Sequence, residues 1–320
     1  MQAIEPNEAL VRALLRDQHP DLAGRALTAV PGGWDNAMWR LGDDLAVRMP
    51  RTGRAPSLLR AEQRWLPLLA PHLPLPVPTP VRVGEPSPRF PFTWSVVQWV
   101  HGEPADQSPV TGAAAARTLA RFLGALHRPA PADAPRNAAH GGPLRLLDLD
   151  AWRPAGRDDR AVERLRRVWE RALAAPEWGG PALWVHGDLH PANALVADGN
   201  LCGVVDFGDM CAGDPATDLA AAWVLLPDGA SDAFLDAYAG EHGLTEATVR
   251  RAQGWAAIRA LVLLEVGRKW ELGLPGGKRR GGRPVMRQSA ACSRPSTQRG
   301  QRRRARTHFL RVRLVASKPA

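Results

Sequence analysis

Two short stretches of the chain, HGDLHPAN at residues 186–193 and VVDFGD at residues 204–209, concentrate side chains that can do chemistry. His186 and His190 are four residues apart, the spacing of two zinc ligands on one face of a helix. A helix-disfavouring residue, glycine or proline, directly follows each histidine, and the glutamate of an HExxH zinc site is absent. A serine-based triad has equally little support, because no GxSxG motif occurs and no serine lies near these residues.

Phosphoryl transfer fits the same stretches better. The reaction needs a carboxylate that orients and deprotonates a hydroxyl, and oxygen ligands that hold Mg²⁺ against the phosphates. Asp188 and Asn193 are five residues apart, as in the HRDxxxxN loop of protein kinases. Asp206 opens an Asp-Phe-Gly sequence, whose aspartate binds Mg²⁺ in those enzymes. An Asp-Gly-Asn turn at residues 198–200 separates the two motifs and predicts a β-hairpin between them.

Three motifs together, HGDLHPANALV, VVDFGD and GDPATDLA, resemble those of the aminoglycoside phosphotransferase family. The resemblance covers residues from about 25 to 275 and implies a protein-kinase-like fold that phosphorylates small molecules. It assigns roles to six residues: catalytic base for Asp188, magnesium ligands for Asn193 and Asp206, and structural support for His186, Asp214 and Asp218.

The resemblance also implies a cation on a strand of the N-terminal part, paired with a helical glutamate and holding nucleotide phosphates. The segment LAVRMPR places Arg48 where the family usually has lysine, and Glu62 follows 14 residues later on a predicted helix. Arginine keeps a permanent charge, but its planar guanidinium meets a phosphate differently from an ammonium group. An ordinary exposed strand arginine is the alternative interpretation of Arg48.

Further nucleotide contacts are predicted at two segments. PGGWDNAMWRLG lacks the GxGxxG of protein kinases, yet Gly33 and Asn36 are placed to meet phosphates, with a simple hairpin turn as the alternative. QWVHGE resembles the hinge between kinase lobes, where backbone groups of Gln98, Trp99 and Val100 would meet a purine. ATP is the expected nucleotide, and GTP remains open.

The elements that must position these residues follow from hydrophobic periodicity. Two strands are expected around turns at 32–33 and 42–44 and another at 92–100, with helices at 5–17, 57–70, 112–127, 160–175, 214–225, 231–239, 245–251 and 253–272. This outline is an α+β chain, and it agrees with the protein-kinase-like two-lobed fold that the resemblance implies. A small antiparallel-sheet lobe at residues 1–100 would bind nucleotide, and a larger, mostly helical lobe at 101–275 would carry catalysis and substrate binding.

Composition favours a cytoplasmic monomer. No apolar run reaches the roughly 18–20 residues that span a bilayer, and no secretory signal opens the chain. The three cysteines show no CxxC spacing, which is consistent with a reducing compartment. No membrane association is therefore expected.

The net charge of +10 is concentrated at one end of the chain. Residues 278–320 hold 14 of the 42 basic residues and no acidic ones, which leaves 28 basic against 32 acidic residues before them. This basic tail, from residue 276 to 320, has three interpretations: the out-of-frame end of a GC-rich gene, natural disorder, or an arm that binds nucleic acid non-specifically. A nucleic-acid-binding protein is therefore one alternative function.

The acceptor is expected to be a small molecule with a hydroxyl group, such as an aminoglycoside, a macrolide or a metabolite. The carboxylates of Asp209, Glu265 and Glu271 are the predicted substrate contacts, with solvated helix faces as the alternative. Because arginine replaces lysine at position 48, a kinase-like protein that binds nucleotide without catalysis is a second alternative function.

Overall fold

The computed structural model describes residues 6–31, 33–152, 159–272, 278–279 and 282–284. Gly32 and nearly all of the basic tail lie outside the described residues, and so do the three interpretations of that tail.

A five-stranded antiparallel sheet in the order β1-β2-β3-β5-β4 builds the N-terminal lobe. Its elements are α1 (Glu8–Gln18), β1 (Leu27–Val30), β2 (Asn36–Leu41), β3 (Leu45–Pro50), α2 (Ala55–Leu69), β4 (Pro80–Gly84) and β5 (Trp94–Gln98). Three strands precede α2, so the prediction of two was wrong. The turn at Gly42, where φ is 66°, separates β2 from β3 and needs glycine for that conformation.

Strand β3 lies at the centre of this sheet and is buried along its whole length. Helix α1 packs on the sheet through Val11, Leu14 and Leu15, and forms one hydrophobic core with it. The far end of α2 instead belongs to the core of the C-terminal lobe, through Trp65 and neighbouring leucines. Helix α2 therefore packs against both lobes and connects them.

The C-terminal region is mostly helical, and its described residues form three small sheets, β10-β7, β6-β8-β9 and β11-β12. Its elements are β6 (Glu103–Pro104), α3 (Ala115–Leu126), α4 (Ala138–Gly141), α5 (Asp159–Leu173), β7 (Leu183–Val185), β8 (Ala194–Ala197), β9 (Asn200–Val204), β10 (Cys211–Gly213), α6 (Ala216–Leu219), α7 (Ala221–Val224), α8 (Ser231–His242), α9 (Glu246–Glu271), β11 (Lys278–Arg279) and β12 (Gly282–Pro284). Strands β8 and β9 form the predicted hairpin, and φ is positive at both Asp198 and Gly199 in its turn.

Helix α9 runs unbroken from Glu246 to Glu271, so the prediction of separate helices at 245–251 and 253–272 was wrong. Gly254, inside α9, marks a close approach between helices. A Cβ atom at Gly254 would lie 2.5 Å from the Cβ of Ala172 on α5. The lack of a side chain therefore lets α9 pack directly on α5, and the predicted α+β, two-lobed architecture is the observed one.

No helix among the described residues is long and apolar enough to cross a membrane.

Candidate active site

A cleft lies between the sheet of the N-terminal lobe and the loop HGDLHPAN at residues 186–193, which we call the HGDLHPAN loop. Both lobes contribute side chains to it. The lining residues are Trp34, Asp35, Asn36, Arg48, Arg54, Leu58, Leu59, Glu62, Asp188, Asp206, Gly208 and Asp209.

Arg48 and Glu62 form a buried ion pair at the inner end of this cleft. Arg48 is 7% exposed on the central strand β3, and Glu62 is 1% exposed on α2. The guanidinium Nη1 of Arg48 donates to Oε2 of Glu62, and its Nη2 lies 3.5 Å from Oδ1 of Asp206. Burial opposes the charge of Arg48, but the carboxylates of Glu62 and Asp206 outweigh it and raise its pKa. Arg48 is therefore not an ordinary exposed strand arginine.

His186 holds the first turn of the HGDLHPAN loop and has no exposed surface. Its Nε2 lies 3.0 Å from the carbonyl oxygen of Val205, and its Nδ1 accepts the backbone N–H of Asp188 at 3.2 Å. One neutral tautomer, protonated on Nε2, satisfies both contacts. Burial lowers the pKa of His186, which agrees with a neutral ring. Both ring nitrogens are engaged, so His186 is not placed as a zinc ligand.

This neutral histidine predicts a pH-dependent stability. An unfolded histidine titrates near 6.5. Below that pH the unfolded chain binds a proton that folded His186 does not, so stability falls as the pH drops, by up to about 1.4 kcal/mol per unit. We expect the melting temperature to fall from pH 7 to 5.5, and His186→Gln to flatten that dependence. The exposed His101→Gln serves as control, and equal slopes in wild type and His186→Gln would contradict the prediction.

Asp218 supports the same loop from beneath. Its carboxylate accepts the backbone N–H groups of His186 at 2.6 Å and Gly187 at 2.9 Å. Nε2 of His127 lies 3.3 Å from the same carboxylate, and Nδ1 of His127 lies 2.8 Å from the hydroxyl of Tyr238. Burial opposes ionisation of Asp218, but these hydrogen bonds and nearby positive charges lower its pKa. The loop backbone therefore rests on an ionised carboxylate.

Asp188 projects from the HGDLHPAN loop into the cleft, with 36% of its side chain exposed. Its Oδ2 lies 3.5 Å from Nε2 of His190. Burial disfavours the charged form, but the His190 contact and the charges of Arg259 and His140 outweigh it and lower the pKa of Asp188. The carboxylate is therefore ionised at neutral pH.

Asp206 lines the cleft, and Asn193 is buried on the HGDLHPAN loop five residues after Asp188. The Nδ2 group of Asn193 donates to the carbonyl oxygen of Asp188 at 2.9 Å, so its amide oxygen points away from that contact. Asp206 has a φ of 65°, a left-handed conformation that is uncommon for non-glycine residues and more frequent for aspartate than for most. Its side chain is 58% exposed. Among the described residues no cluster of three or more His, Cys, Asp or Glu side chains could hold a metal ion.

Arg54, which belongs to none of the motifs described above, connects the two lobes across the cleft. It lies just before α2 and donates to both carboxylate oxygens of Asp35 and, at 3.2 Å, to both oxygens of Asp209. Asp209 also accepts from Asn137 at 3.2 Å and lies 3.7 Å from His140. This predicted substrate contact is thus already bound to protein groups.

Other predicted contacts lie elsewhere. Asp214 binds Arg251 of α9 at 2.6 Å, and none of its described contacts reaches the HGDLHPAN loop. Glu265 pairs with Arg268 and Lys269 on its own helix, and the side chain of Glu271 is outside the described part of the structure.

The backbone and side-chain groups of the two segments predicted to contact the nucleotide are also partly engaged in hydrogen bonds within the protein. The backbone N–H of Gln98 donates to Thr79 and that of Trp99 to Asp44, while the N–H of Val100 has no backbone partner among the described residues. Asn36 lines the cleft at 8% exposure, and its amide oxygen has no hydrogen-bond partner there. Gly33, with a φ of 81°, lies exposed in the turn before it.

The fold and the cleft together define a two-lobed phosphotransferase of the kinase-like class. The model of the phosphotransferase enzyme family matches residues 26–261, and the chain belongs to that family. The predicted family is thereby confirmed, and so is the prediction of a small-molecule kinase at the level of that family.

Solved structures show the same fold at low sequence identity. The complex of APH(2")-IIIa with GDP and kanamycin superposes with a TM-score of 0.64 and 19% identity, over 82% of this chain and 92% of that one. The macrolide 2'-phosphotransferase MphH from Brachybacterium faecium superposes with a TM-score of 0.56 and 24% identity, over 82% and 93%. The predicted kinase-like fold class is therefore confirmed.

A curated protein of Deinococcus radiodurans, described as uncharacterized, is 34% identical over 127 residues. That match spans 37% of this chain and 34% of the length of the relative.

Proposed function

We propose that this protein transfers the γ-phosphate of ATP, or of GTP, to a hydroxyl group of a small molecule. The observation that carries the proposal is the joint lining of one cleft by Asp188, Asp206 and the Arg48–Glu62 pair. Phosphoryl transfer needs a base for the hydroxyl, an oxygen ligand for a divalent cation and a positive group for the phosphates. Each of these requirements is matched by one of the three.

The nucleotide would lie with its phosphates against the N-terminal lobe. Arg48 is the cation for the phosphates, held in place by Glu62 as the strand and helix pack. Asn36 lines the same cleft, and its side-chain amide N–H is the group that could donate to a phosphate oxygen. At the other end, the N–H of Val100 is the candidate donor to a purine base, since those of Gln98 and Trp99 are taken.

A divalent cation fits the charges of the cleft. Five carboxylates and two guanidinium groups line it, an acidic surplus that repels a polyphosphate. Asn193 and Asp206 would hold Mg²⁺, which prefers oxygen ligands and often uses one or two carboxylates together with phosphates. Bound Mg²⁺ would neutralise charge on the β- and γ-phosphates. Two protein ligands also agree with the lack of a closed metal cluster among the described residues.

Asp188 would orient the acceptor hydroxyl. The side chains of His186 and Asn193 hydrogen-bond to the backbone N–H and carbonyl groups of Asp188, and the Asp188 side chain lines the cleft. An ionised carboxylate accepts a hydrogen bond from the hydroxyl and takes its proton as the phosphate transfers.

The acceptor is proposed to be a hydroxylated antibiotic of aminoglycoside or macrolide type, or a small metabolite. Support comes from the fold shared with an aminoglycoside phosphotransferase bound to kanamycin and with a macrolide phosphotransferase. Because Asp209 is engaged by Arg54, a cationic acceptor would have to compete with that arginine for the carboxylate.

A screen of hydroxylated acceptors that measures ADP or GDP release tests the proposal. We expect release to require one class of acceptor, and to fall by at least about 10³-fold when EDTA replaces Mg²⁺, because phosphate charge is then uncompensated. Mass spectrometry of the acceptor should show one added phosphate.

The alternative function, nucleotide binding without catalysis, makes a different prediction. It gives nucleotide affinity in a direct binding measurement but no acceptor-dependent release with any compound. Release that is independent of both acceptor and Mg²⁺ would contradict the proposed function itself.

A further inference from the structure

We infer that Arg259 of α9 is a positioning residue that fixes the backbone on both sides of Asp188. The inference rests on the proposed function, in which Asp188 faces the acceptor hydroxyl. It extends that function to a side chain far along the sequence, which no motif indicates.

The geometry is that of a fork beneath the loop. Nη1 of Arg259 donates to the carbonyl oxygen of Leu189 at 2.7 Å, and Nη2 donates to that of Gly187 at 2.5 Å. These carbonyl groups belong to the residues directly before and after Asp188. The same Nη2 also donates to the hydroxyl of Thr217 at 3.0 Å, which anchors the guanidinium from the other side.

The burial of this arginine argues for a specific role. Arg259 is 8% exposed, yet no carboxylate lies within ion-pairing distance of it among the described residues. A buried charge without a direct counterion is costly, and burial lowers the pKa of Arg259. Instead, its Nη1 and Nη2 groups donate to main-chain oxygens of the HGDLHPAN loop.

Two opposite charges thus hold one short stretch of backbone. Asp218 accepts the N–H groups of His186 and Gly187, while Arg259 binds the carbonyl groups of Gly187 and Leu189. The planar guanidinium presents two nitrogen atoms to the two carbonyl groups, whereas a lysine would have to reach both with the N–H groups of one nitrogen. Arg259 therefore fixes the position and the orientation of the Asp188 carboxylate in the cleft.

The consequence is specific to turnover. A displacement of a catalytic group by about 1 Å can lower a rate by roughly 100-fold. We therefore expect Arg259→Lys to lower kcat by roughly 10- to 100-fold. Nucleotide affinity should stay within about twofold, because Arg259 makes no described contact with the N-terminal lobe.

Arg251→Lys is the matched control. Arg251 is also buried on α9, at 5% exposure, but it binds Asp214, Thr248 and the carbonyl oxygen of Pro176 rather than the loop. Thr217→Val is a milder second variant, in case Arg259→Lys folds poorly. It removes one anchor of the guanidinium, and we expect a smaller loss of kcat with the same unchanged nucleotide affinity.

The experiment compares wild type and the three variants by kcat and KM for both substrates, corrected for folded protein, and by hydrogen exchange of the peptide that contains the HGDLHPAN loop. Faster exchange and lower kcat in Arg259→Lys and Thr217→Val, but not in Arg251→Lys, support the inference. Wild-type kcat and wild-type exchange in Arg259→Lys overturn it, as does an equal loss of kcat in Arg251→Lys. If wild type transfers no phosphate to any acceptor, the proposed function fails, and hydrogen exchange alone still decides whether Arg259 holds the loop.

Discussion

Asp188→Asn is expected to lower kcat by about 10³-fold while the affinity for nucleotide changes by less than about twofold. General-base catalysis contributes roughly 10² to 10⁴ in rate, and asparagine keeps the size of the side chain but cannot accept the proton. We expect the nucleotide affinity to stay the same because Arg48 and Asn36, the proposed phosphate contacts, lie in the N-terminal lobe. Steady-state kinetics and a direct nucleotide-binding measurement separate the two effects.

The control for this variant is Asp198→Asn. It also neutralises an aspartate of the C-terminal lobe, in the turn between β8 and β9, and asparagine tolerates the positive φ at that position. We expect wild-type kcat from it. Unaltered turnover in Asp188→Asn would rule out Asp188 as the base.

Arg48→Met is expected to reduce the free energy of unfolding by about 3–5 kcal/mol and to remove most nucleotide affinity. The change deletes one partner of a buried ion pair and leaves the carboxylate of Glu62 without compensation. Oε1 of Glu62 already lacks a partner among the described residues, so a charge there has no other support. Chemical denaturation and nucleotide binding give the two measurements.

A double variant separates folding from function at this pair. Arg48→Met with Glu62→Leu removes both charges and should recover part of the lost stability, since apolar replacements of a buried pair are often tolerated. Nucleotide affinity should stay low, because the cation for the phosphates is still missing. If Arg48→Met alone keeps wild-type stability, the pair does not support the fold; if it keeps wild-type affinity, Arg48 does not hold phosphates.

The local parts of the candidate site could be predicted from the sequence. Asp188 and Asn193 precede the β8–β9 hairpin and Asp206 follows it, so the hairpin brings the two motifs to its open end. The Arg48–Glu62 pair was also predicted, from the resemblance of LAVRMPR and the helix after it to the family's pattern. In both cases the residues lie close together in the sequence, so a local motif could identify them.

The rest depended on contacts between distant segments. Arg54 meets Asp209 across 155 residues, and Arg259 meets Gly187 across 72. Neither arginine differs in its neighbouring residues from the many other arginines of the chain, so no local pattern marks it. The docking of α9 on the HGDLHPAN loop had to be known first.

Glycine was ambiguous for a related reason. Gly254 has a low helix propensity, which costs about 1 kcal/mol relative to alanine, yet it lies inside the continuous helix α9. Packing outweighed that cost, since the missing side chain admits Ala172 of α5. Sequence alone does not distinguish a glycine that ends a helix from one that lets two helices touch.

Helix α9 contains the side chain that supports the HGDLHPAN loop, whereas the described contacts of the loop include none from the chain after α9. The described contacts from α9 to the HGDLHPAN loop come from Arg259, well before the last described turn of the helix at Leu272. A premature stop or a shifted reading frame upstream of codon 254 would remove this support together with the close contact of Gly254 with α5. A change after codon 272 leaves both in place, so a mutation can alter the basic tail without removing the support of the HGDLHPAN loop.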